Sequence, residues 1–368
     1  MGVGGDQTGM YDFVVVGAGP AGSRFARRAA DDGFDVLVFE QGQVGEPLAC
    51  SGHVSTDIWE YTPPGAREDL LQNEVSGARF HTGGPDSEAY PFYKEEVISN
   101  VIDRVGLDRT LAAAARDAGA DLREEHTVVD VTEGRDAVRV RARGPNGTDT
   151  YEARMVAGAD GPKSRVRSEL DLPDPTEMLH GVLGFTDEPD HDDFVDVHLT
   201  VPEFFAWRIP RGEAGVEYGL AVAPGDDVRA RFEEFTDAYG VETDRRCSGL
   251  IPVGPPPRVT GRRSFLLGDA AAQTKPFTGG GILYGMTAAD HAAREIDPVA
   301  PGTLGDYEDA WRADLRTEIR LGKLIRAGYS VPEPVQRAGL WAFSGEIGVH
   351  MDRPTTLFSR EGLRKLFG

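Results

Sequence analysis

The apolar positions of this chain fall into three successive patterns. In YDFVVVGAGPAGSRFARRAADDGFDVLVFEQ (11–41) a β-branched run, Phe13–Val16, gives way to helically spaced apolar residues and then to a second run, Val36–Phe39. That order predicts strand, glycine turn, helix, strand. RTLAAAARDAGADL (109–122) predicts an alanine-rich helix ended by Gly119. Between 126 and 161 apolar and polar residues alternate, with turn signals at EGRD and PNGT. This pattern predicts hairpin strands that end in a buried strand. More alternating segments, from 177 to 223, predict a second lobe. PVGPPPRV (252–259) is a proline-rich crossing, SFLLGDAAAQ (264–273) a strand running into a turn, and from about 285 the pattern is helical. No internal repeat is visible. The expectation is one α/β unit with an inserted lobe.

Composition narrows the picture. At 368 residues and 40% hydrophobic, the chain can bury a large core. No run approaches the length of a membrane-spanning helix, and MGVGGDQTGM has neither the charged nor the apolar region of a signal peptide. Cys50 and Cys247 are too few for a disulfide framework, so a reducing, cytoplasmic setting is expected. The formal net charge of −22 argues against a nucleic-acid partner, because phosphates repel such a surface. The acidic residues are dispersed and the cations are mostly arginine, which suits a cytoplasm of very high salt.

Gly17, Gly19 and Gly22 form G-x-G-x-x-G where the first strand meets the first helix, with Pro20 and Ala21 opening that helix. Gly17 permits the turn, Gly19 lets the backbone approach a pyrophosphate, and Gly22 lets helix and strand pack closely. The helix N-terminus adds amide donors and a positive dipole end. Glu40 closes the second strand, where a carboxylate suits a ribose diol. The motif alone leaves NAD(P) and FAD open.

Two later stretches decide. GADGPKSRVR (158–167) places Asp160 after an apolar strand, and FLLGDAAAQTKPFTGGGILYGM (265–286) places Gly268 and Asp269 after another, ahead of a glycine-rich helix start. In this order the three motifs resemble the FAD-dependent superfamily of aromatic hydroxylases and geranylgeranyl reductases. The resemblance implies a Rossmann-like FAD-binding domain of the aromatic-hydroxylase type, an antiparallel-sheet substrate lobe and a C-terminal helical segment. The implied boundaries are 8–70, 95–170 and 255–300 for FAD, 71–94 and 171–254 for the lobe, and 301–368 for the helical segment. It also implies Asp269 at the flavin ribityl chain, Gly280, Gly281 and Ile282 at the ring edge, Arg104 near the diphosphate and Val128 at the adenine.

GEPLACSGHVS (45–55) resembles the cysteine loop of geranylgeranyl reductases, which puts Ala49, Cys50 and Gly52 beside the flavin. FAWRIP (205–210) resembles the same family's Tyr-x-Trp-x-Phe-Pro signature, with Phe205 and Ile209 as departures and Trp207 and Pro210 as matches. On a strand Phe205, Trp207 and Ile209 share one face, fit to wall an isoprenoid tunnel, while Phe204, Ala206, Arg208 and Pro210 share the other. Arg208 or Arg211 would then stand near a polar head.

The chain is thus similar to the digeranylgeranylglycerophospholipid reductase-like branch, in which reduced FAD saturates the double bonds of archaeal lipid chains. Saturation needs a hydride and a proton, and Cys50 is the candidate acid, ahead of a solvent-facing His53. Cys247 reads as a small buried residue. His191, Asp192, Asp193 and His198 read as a solvated acidic loop, so no metal is expected. The partners implied are a prenylated lipid and an electron donor, either ferredoxin or NAD(P)H. The basic strip of WRADLRTEIRLGKLIRAGY (311–329) reads first as a helix capping the flavin domain and second as a peripheral membrane contact. Two rival readings stay open. FAWRIP also resembles the Trp-x-Trp-x-Ile-Pro signature of flavin halogenases, for which Lys94 is the nearest candidate lysine, with monooxygenases as kin. The other rival is a flavoprotein that uses FAD without redox chemistry.

Overall fold

The structure is a computed structural model and describes residues 9–48, 50–346 and Arg353. Ala49, expected beside the flavin, lies outside the described residues. Strand Tyr11–Val16 runs between two parallel neighbours, Val36–Phe39 and the C-terminal half of Gly147–Gly158. Asp121–Arg123 and Ser264–Leu266 extend the parallel set on either side. Parallel strands are covered on both faces, which explains their unbroken apolar runs: Val14, Val15, Leu37 and Val38 are all fully buried. The N-terminal half of Gly147–Gly158 leaves this core as a meander with Val138–Gly144 and Thr127–Glu133. There the alternation returns, with Val138, Val140 and Ala142 inside and Arg139, Arg141 and Arg143 exposed.

Helices Pro20–Asp31 and Ile282–Glu295 pack on one another over this sheet. Phe25 meets both Phe13 and Phe265 edge-on, with ring centroids 5.1 Å apart in each pair. The alanine-rich helix begins at Arg104, earlier than its apolar spacing indicates, because the Asp103 side chain accepts from Gly106 N at 3.0 Å and caps it. Helix Leu304–Ala327 lays Tyr307, Trp311 and Leu315 into the same core, so it covers the flavin-type domain.

The second lobe is a seven-stranded sheet, ordered Arg245–Val253, Glu177–Thr186, Val216–Val222, Ala206–Pro210, Phe194–His198, Gly77–His81, Ala89–Tyr93. Its pairs are antiparallel except Phe194–His198 with Gly77–His81. Helix Val228–Tyr239 packs on one face of this sheet. A three-stranded sheet of His53–Ser55, Ser99–Ile102 and Leu71–Val75 stands beside it. The chain then closes the assembly. After helix Glu333–Phe343, Gly345 N donates to Pro91 O at 2.8 Å and Tyr93 N donates to Gly345 O at 3.1 Å, tying the helix to the lobe's edge strand.

Candidate functional site

The glycine turn is built by close approach. A Cβ on Gly17, where φ is +98°, would run into the Ala159 carbonyl, and one on Gly22 into the Gly17 carbonyl. At Gly19 nothing stands within 4 Å of a Cβ position, so the backbone faces open space at the start of the helix. Glu40 Oε2 accepts from Ala18 N at 2.8 Å, which fixes the carboxyl beside this turn, and burial raises its pKa. The His126 amide donates to Glu40 O at 2.8 Å, which brings the strand carrying Val128 to the same end of the sheet. Val128 itself is buried within that strand.

Gly19, Pro20 and Ala21 stand at one end of a cavity of about 750 Å³ that runs between the two lobes. Asp269, Gly280, Gly281 and Ile282 line the same end. No donor among the described residues reaches the Asp269 carboxyl, and burial pushes its pKa up to about 6 despite the charge of Arg104. A Cβ on Gly281 would meet Asp269 Oδ1 at 2.8 Å, so glycine is needed where the helix begins. Arg104 pairs with Asp108 at 2.5 Å and lies against the Cys50 thiol, yet its buried Nε has no acceptor in hydrogen-bonding geometry. Burial works against the Arg104 charge, but Asp108 and Cys50 more than restore it. An open glycine turn, an unbonded carboxyl and an unsatisfied guanidinium around one space fit the phosphates and polyol chain of a flavin dinucleotide.

Cys50 lines the cavity, and burial raises its pKa against the opposing pull of Arg104. At neutral pH it is a thiol, the form that can give a proton. Farther along, the cavity wall is apolar, with Phe205, Trp207 and Ile209 on one side and Val195, Val197 and Phe80 beside them. A Cβ on Gly219, one strand over, would enter the Trp207 indole, so that glycine makes the space for it.

Several expectations need correction. Pro210 does not line the cavity; its carbonyl accepts from Asn73 Nδ2 at 3.2 Å. Asp160 does not line it either; its carboxyl accepts from Ser164 Oγ, Arg165 N and Val166 N, at the start of the short helix Arg165–Glu169 that Ser164 caps. Gly52 is absent from the lining as well; a Cβ there would strike the Ile102 carbonyl, so it seats the cysteine loop against the neighbouring strand. Neither arginine meets the cavity: Arg208 pairs with Asp190 and Asp196 on the sheet's other face, and Arg211 bonds Gln72 Oε1 at 3.0 and 3.1 Å. The strand starts only at Ala206, after a left-handed Glu203, so Phe204 escapes the alternation and stacks on Phe205 at 4.5 Å.

His53 is not a solvent-facing loop residue; it lines the cavity and its Nε2 lies 2.8 Å from Ser99 Oγ. Cys247 also lines the cavity and is only half-buried. His198 is fully buried rather than solvated. Lys94 pairs with Glu96 away from the cavity. Among the described residues no group of acidic, histidine or cysteine side chains is placed to hold a metal. Residue spacing gave no sign of Ser51, of Lys275 beside Gly280, of Tyr329 or of Glu217 behind Trp207. For Glu217 the only signal is an acid inside the otherwise apolar VEYGLAV.

A family model described as an FAD binding domain matches residues 68–246, and one described as an NAD(P)-binding Rossmann-like domain matches residues 15–95. A digeranylgeranylglycerophospholipid reductase from Methanopyrus kandleri is 31% identical over 339 residues, covering 83% of this chain and 83% of that protein. The chain belongs to the digeranylgeranylglycerophospholipid reductase family. As a member of this reductase family it is an FAD-dependent oxidoreductase. The fold agrees. A geranylgeranyl bacteriochlorophyll reductase-like protein from Thermoplasma acidophilum superposes with a TM-score of 0.83 at 23% identity, over 97% of this chain and 95% of that one. A p-nitrophenol 4-monooxygenase from Pseudomonas putida superposes with a TM-score of 0.73 at 17% identity, over 97% of this chain and 96% of that one. The reductase family therefore shares the aromatic-hydroxylase architecture.

Proposed function

We propose that this chain saturates the double bonds of geranylgeranyl chains on an archaeal glycerophospholipid or its precursor, as the names of its relatives indicate for those proteins. The observation that carries this reading is the single cavity, with the glycine turn, Asp269 and Cys50 at one end and an apolar wall along the rest. A flexible hydrocarbon offers no hydrogen bonds, so rigid aromatic and branched side chains are what can hold it.

Reduced FAD supplies the hydride when bound. Arg104, Asp269 and the Gly280–Ile282 helix start would hold it. Trp207, Phe205 and Ile209 align the chain and exclude water, and Cys50 provides the proton for the second alkene carbon.

The electron donor is either reduced ferredoxin or NAD(P)H. Contact with the membrane is peripheral and apolar. Among the described residues no helix is long and apolar enough to cross a membrane. Helix Glu333–Phe343, whose Val335, Gly339 and Leu340 line the cavity, also exposes Trp341 and Phe343.

The test is anaerobic. Flavin reduced with dithionite and freed of excess reductant is mixed with a geranylgeranylated glycerophospholipid. Flavin absorbance and lipid mass are then followed. Reoxidation with two hydrogens gained per double bond is expected. A flavin that stays reduced until air is admitted overturns the reading. Replacing dithionite with each biological donor in turn identifies the one used.

A further inference from the structure

How readily a bound flavin is reduced depends on the charges fixed around its ring. The phosphates belong at the glycine turn, and the ring has to meet the alkene along the apolar wall. The ring therefore belongs where the cavity passes from one lobe to the other. Lys275 and the stretch 277–282 line the cavity and bridge that passage. A Cβ on Gly279 would lie 3.2 Å from Ile251 Cγ2 and 3.3 Å from Phe204 Cζ, so this glycine abuts the second lobe. Gly281, against Asp269, abuts the flavin-type domain.

Lys275 is the one buried lysine among the described residues, at 5% exposure. Lysines are seldom buried, because their charge is costly to take out of water. The loop fixes this one from both sides. Lys275 N donates to Gly280 O at 3.0 Å, and Gly279 N donates to Lys275 O at 2.8 Å. The side chain folds back over the same loop: a Cβ on Gly280 would stand 2.9 Å from Lys275 Cε and 3.2 Å from its Nζ. Any bulk at Gly280 would thus displace the ammonium.

A second positive end lies beside it. Helix Ile282–Glu295 starts at Gly281 with no side-chain cap and no acid in its first turn. Its first amides and the positive end of its dipole stay open. The opposing charge is Asp269, beside Gly281. Arg104 is engaged by Asp108 and the Cys50 thiol.

We propose that Lys275 sets the reducing power of the bound flavin, its ammonium stabilising the negative charge that the ring gains on reduction. This rests on the FAD reading of the cavity given above and not on the identity of the lipid. The donor, ferredoxin or NAD(P)H, is oxidised and gives two electrons, which with one proton leave the ring with one negative charge. The alkene accepts the hydride, and the ring returns to neutral. A fixed cation favours the first half of this cycle and opposes the second. Lys275 gives and takes no proton; it acts by charge alone.

Lys275→Met keeps the length of the side chain and removes the charge, whereas Lys275→Arg keeps the charge. Each FAD-loaded protein is reduced slowly in high salt against an indicator dye of known potential. In Lys275→Met the reduction equilibrium is expected to shift by about tenfold or more toward oxidised flavin, a midpoint potential lower by about 30 mV or more. Lys275→Arg stays near the wild type. Sulfite, an anion that adds to oxidised flavin, binds Lys275→Met about tenfold more weakly for the same electrostatic reason. Lys275→Gln takes the place of Lys275→Met if the latter loses FAD, and loss from both makes Lys275 a binding residue and overturns the assignment. An unchanged potential or sulfite affinity in the neutral variant overturns it too, as does a Lys275→Arg protein that behaves like the neutral one. A wild-type flavin that shows the Lys275 effect but is never reoxidised by the lipid overturns the lipid reading and leaves Lys275 in place.

Discussion

Behind the cavity, on the outer face of the lobe sheet, His198 is held between a carbonyl and a phenol. Its Nδ1 lies 2.9 Å from Gly83 O and its Nε2 2.7 Å from the Tyr239 hydroxyl. A carbonyl only accepts, so Nδ1 carries the proton and Nε2 accepts from Tyr239, which satisfies the neutral ring. Burial pushes the His198 pKa down to about 4. The unfolded chain therefore binds a proton here that the folded chain refuses. This contribution to stability is complete above the ordinary histidine pKa and declines as pH falls through the window down to about 4, by at most roughly 3 kcal/mol. Protonation of surface carboxylates acts in the opposite sense by relieving repulsion. The quantity to read is thus the difference in melting temperature between wild type and His198→Asn. That difference should shrink from pH 7 to pH 5, and a constant difference counts against the neutral, buried ring. At this scale the sequence was legible where a residue's task is local. Gly17 and Gly22 are required by atoms within their own turn and the strand beside it. Asp160 and Pro210 were misread for different reasons. The partners of Asp160, namely Ser164, Arg165 and Val166, lie inside its own motif, where spacing does not show that the carboxyl turns back to them. The partner of Pro210, Asn73, lies on a distant strand.

Among the elements, helix Glu333–Phe343 has an unusual division of labour. Gln336, Gly339 and Leu340 line the cavity as partly buried residues, while Val335, at the cavity's margin, is 58%, Trp341 74% and Phe343 55% exposed. Two large exposed rings beside the opening of a lipid-sized cavity suit insertion into a membrane surface, which gains about 1.5–3 kcal/mol for each ring buried. With Trp341→Ser and Phe343→Ser combined, flotation with isoprenoid-phospholipid vesicles in high salt should fall by at least about tenfold while flavin content is kept. Equal flotation of variant and wild type removes this helix from the contact. The sequence reads the segment as helical and no more, because periodicity cannot distinguish an apolar residue that meets protein from one that meets a cavity or solvent. The strand Ala206–Pro210 shows the converse. Its two-residue period correctly put Trp207 and Ile209 on one face and Arg208 on the other. Cross-strand register, invisible in sequence, is what brings Glu217 behind Trp207.

For the whole molecule, the net charge of −22 is the dominant surface fact. Self-repulsion of this size destabilises the compact state at low ionic strength. It fades as the screening length drops from about 10 Å at 0.1 M salt to about 3 Å at 1 M. The melting temperature is expected to rise by several degrees as KCl is raised from 0.1 M to above 1 M. A melting temperature that stays level over that range means the surface charge is not limiting. The domain order, a parallel core interrupted by an antiparallel lobe, was visible in the switch from continuous to alternating apolar runs. The closing strap was not, since the bond between Gly345 and the edge strand Ala89–Tyr93 joins segments far apart in the chain. That strap has a consequence for the protein's birth. A ribosome releases the chain from its N-terminus, so the glycine turn emerges well before Asp269 and Gly280–Ile282, and Gly345 later still. The greasy walls of the lobe therefore stand uncovered on the nascent chain until the strap arrives, the interval in which a chaperone has most to hold and in which the flavin can be loaded before any lipid can be enclosed.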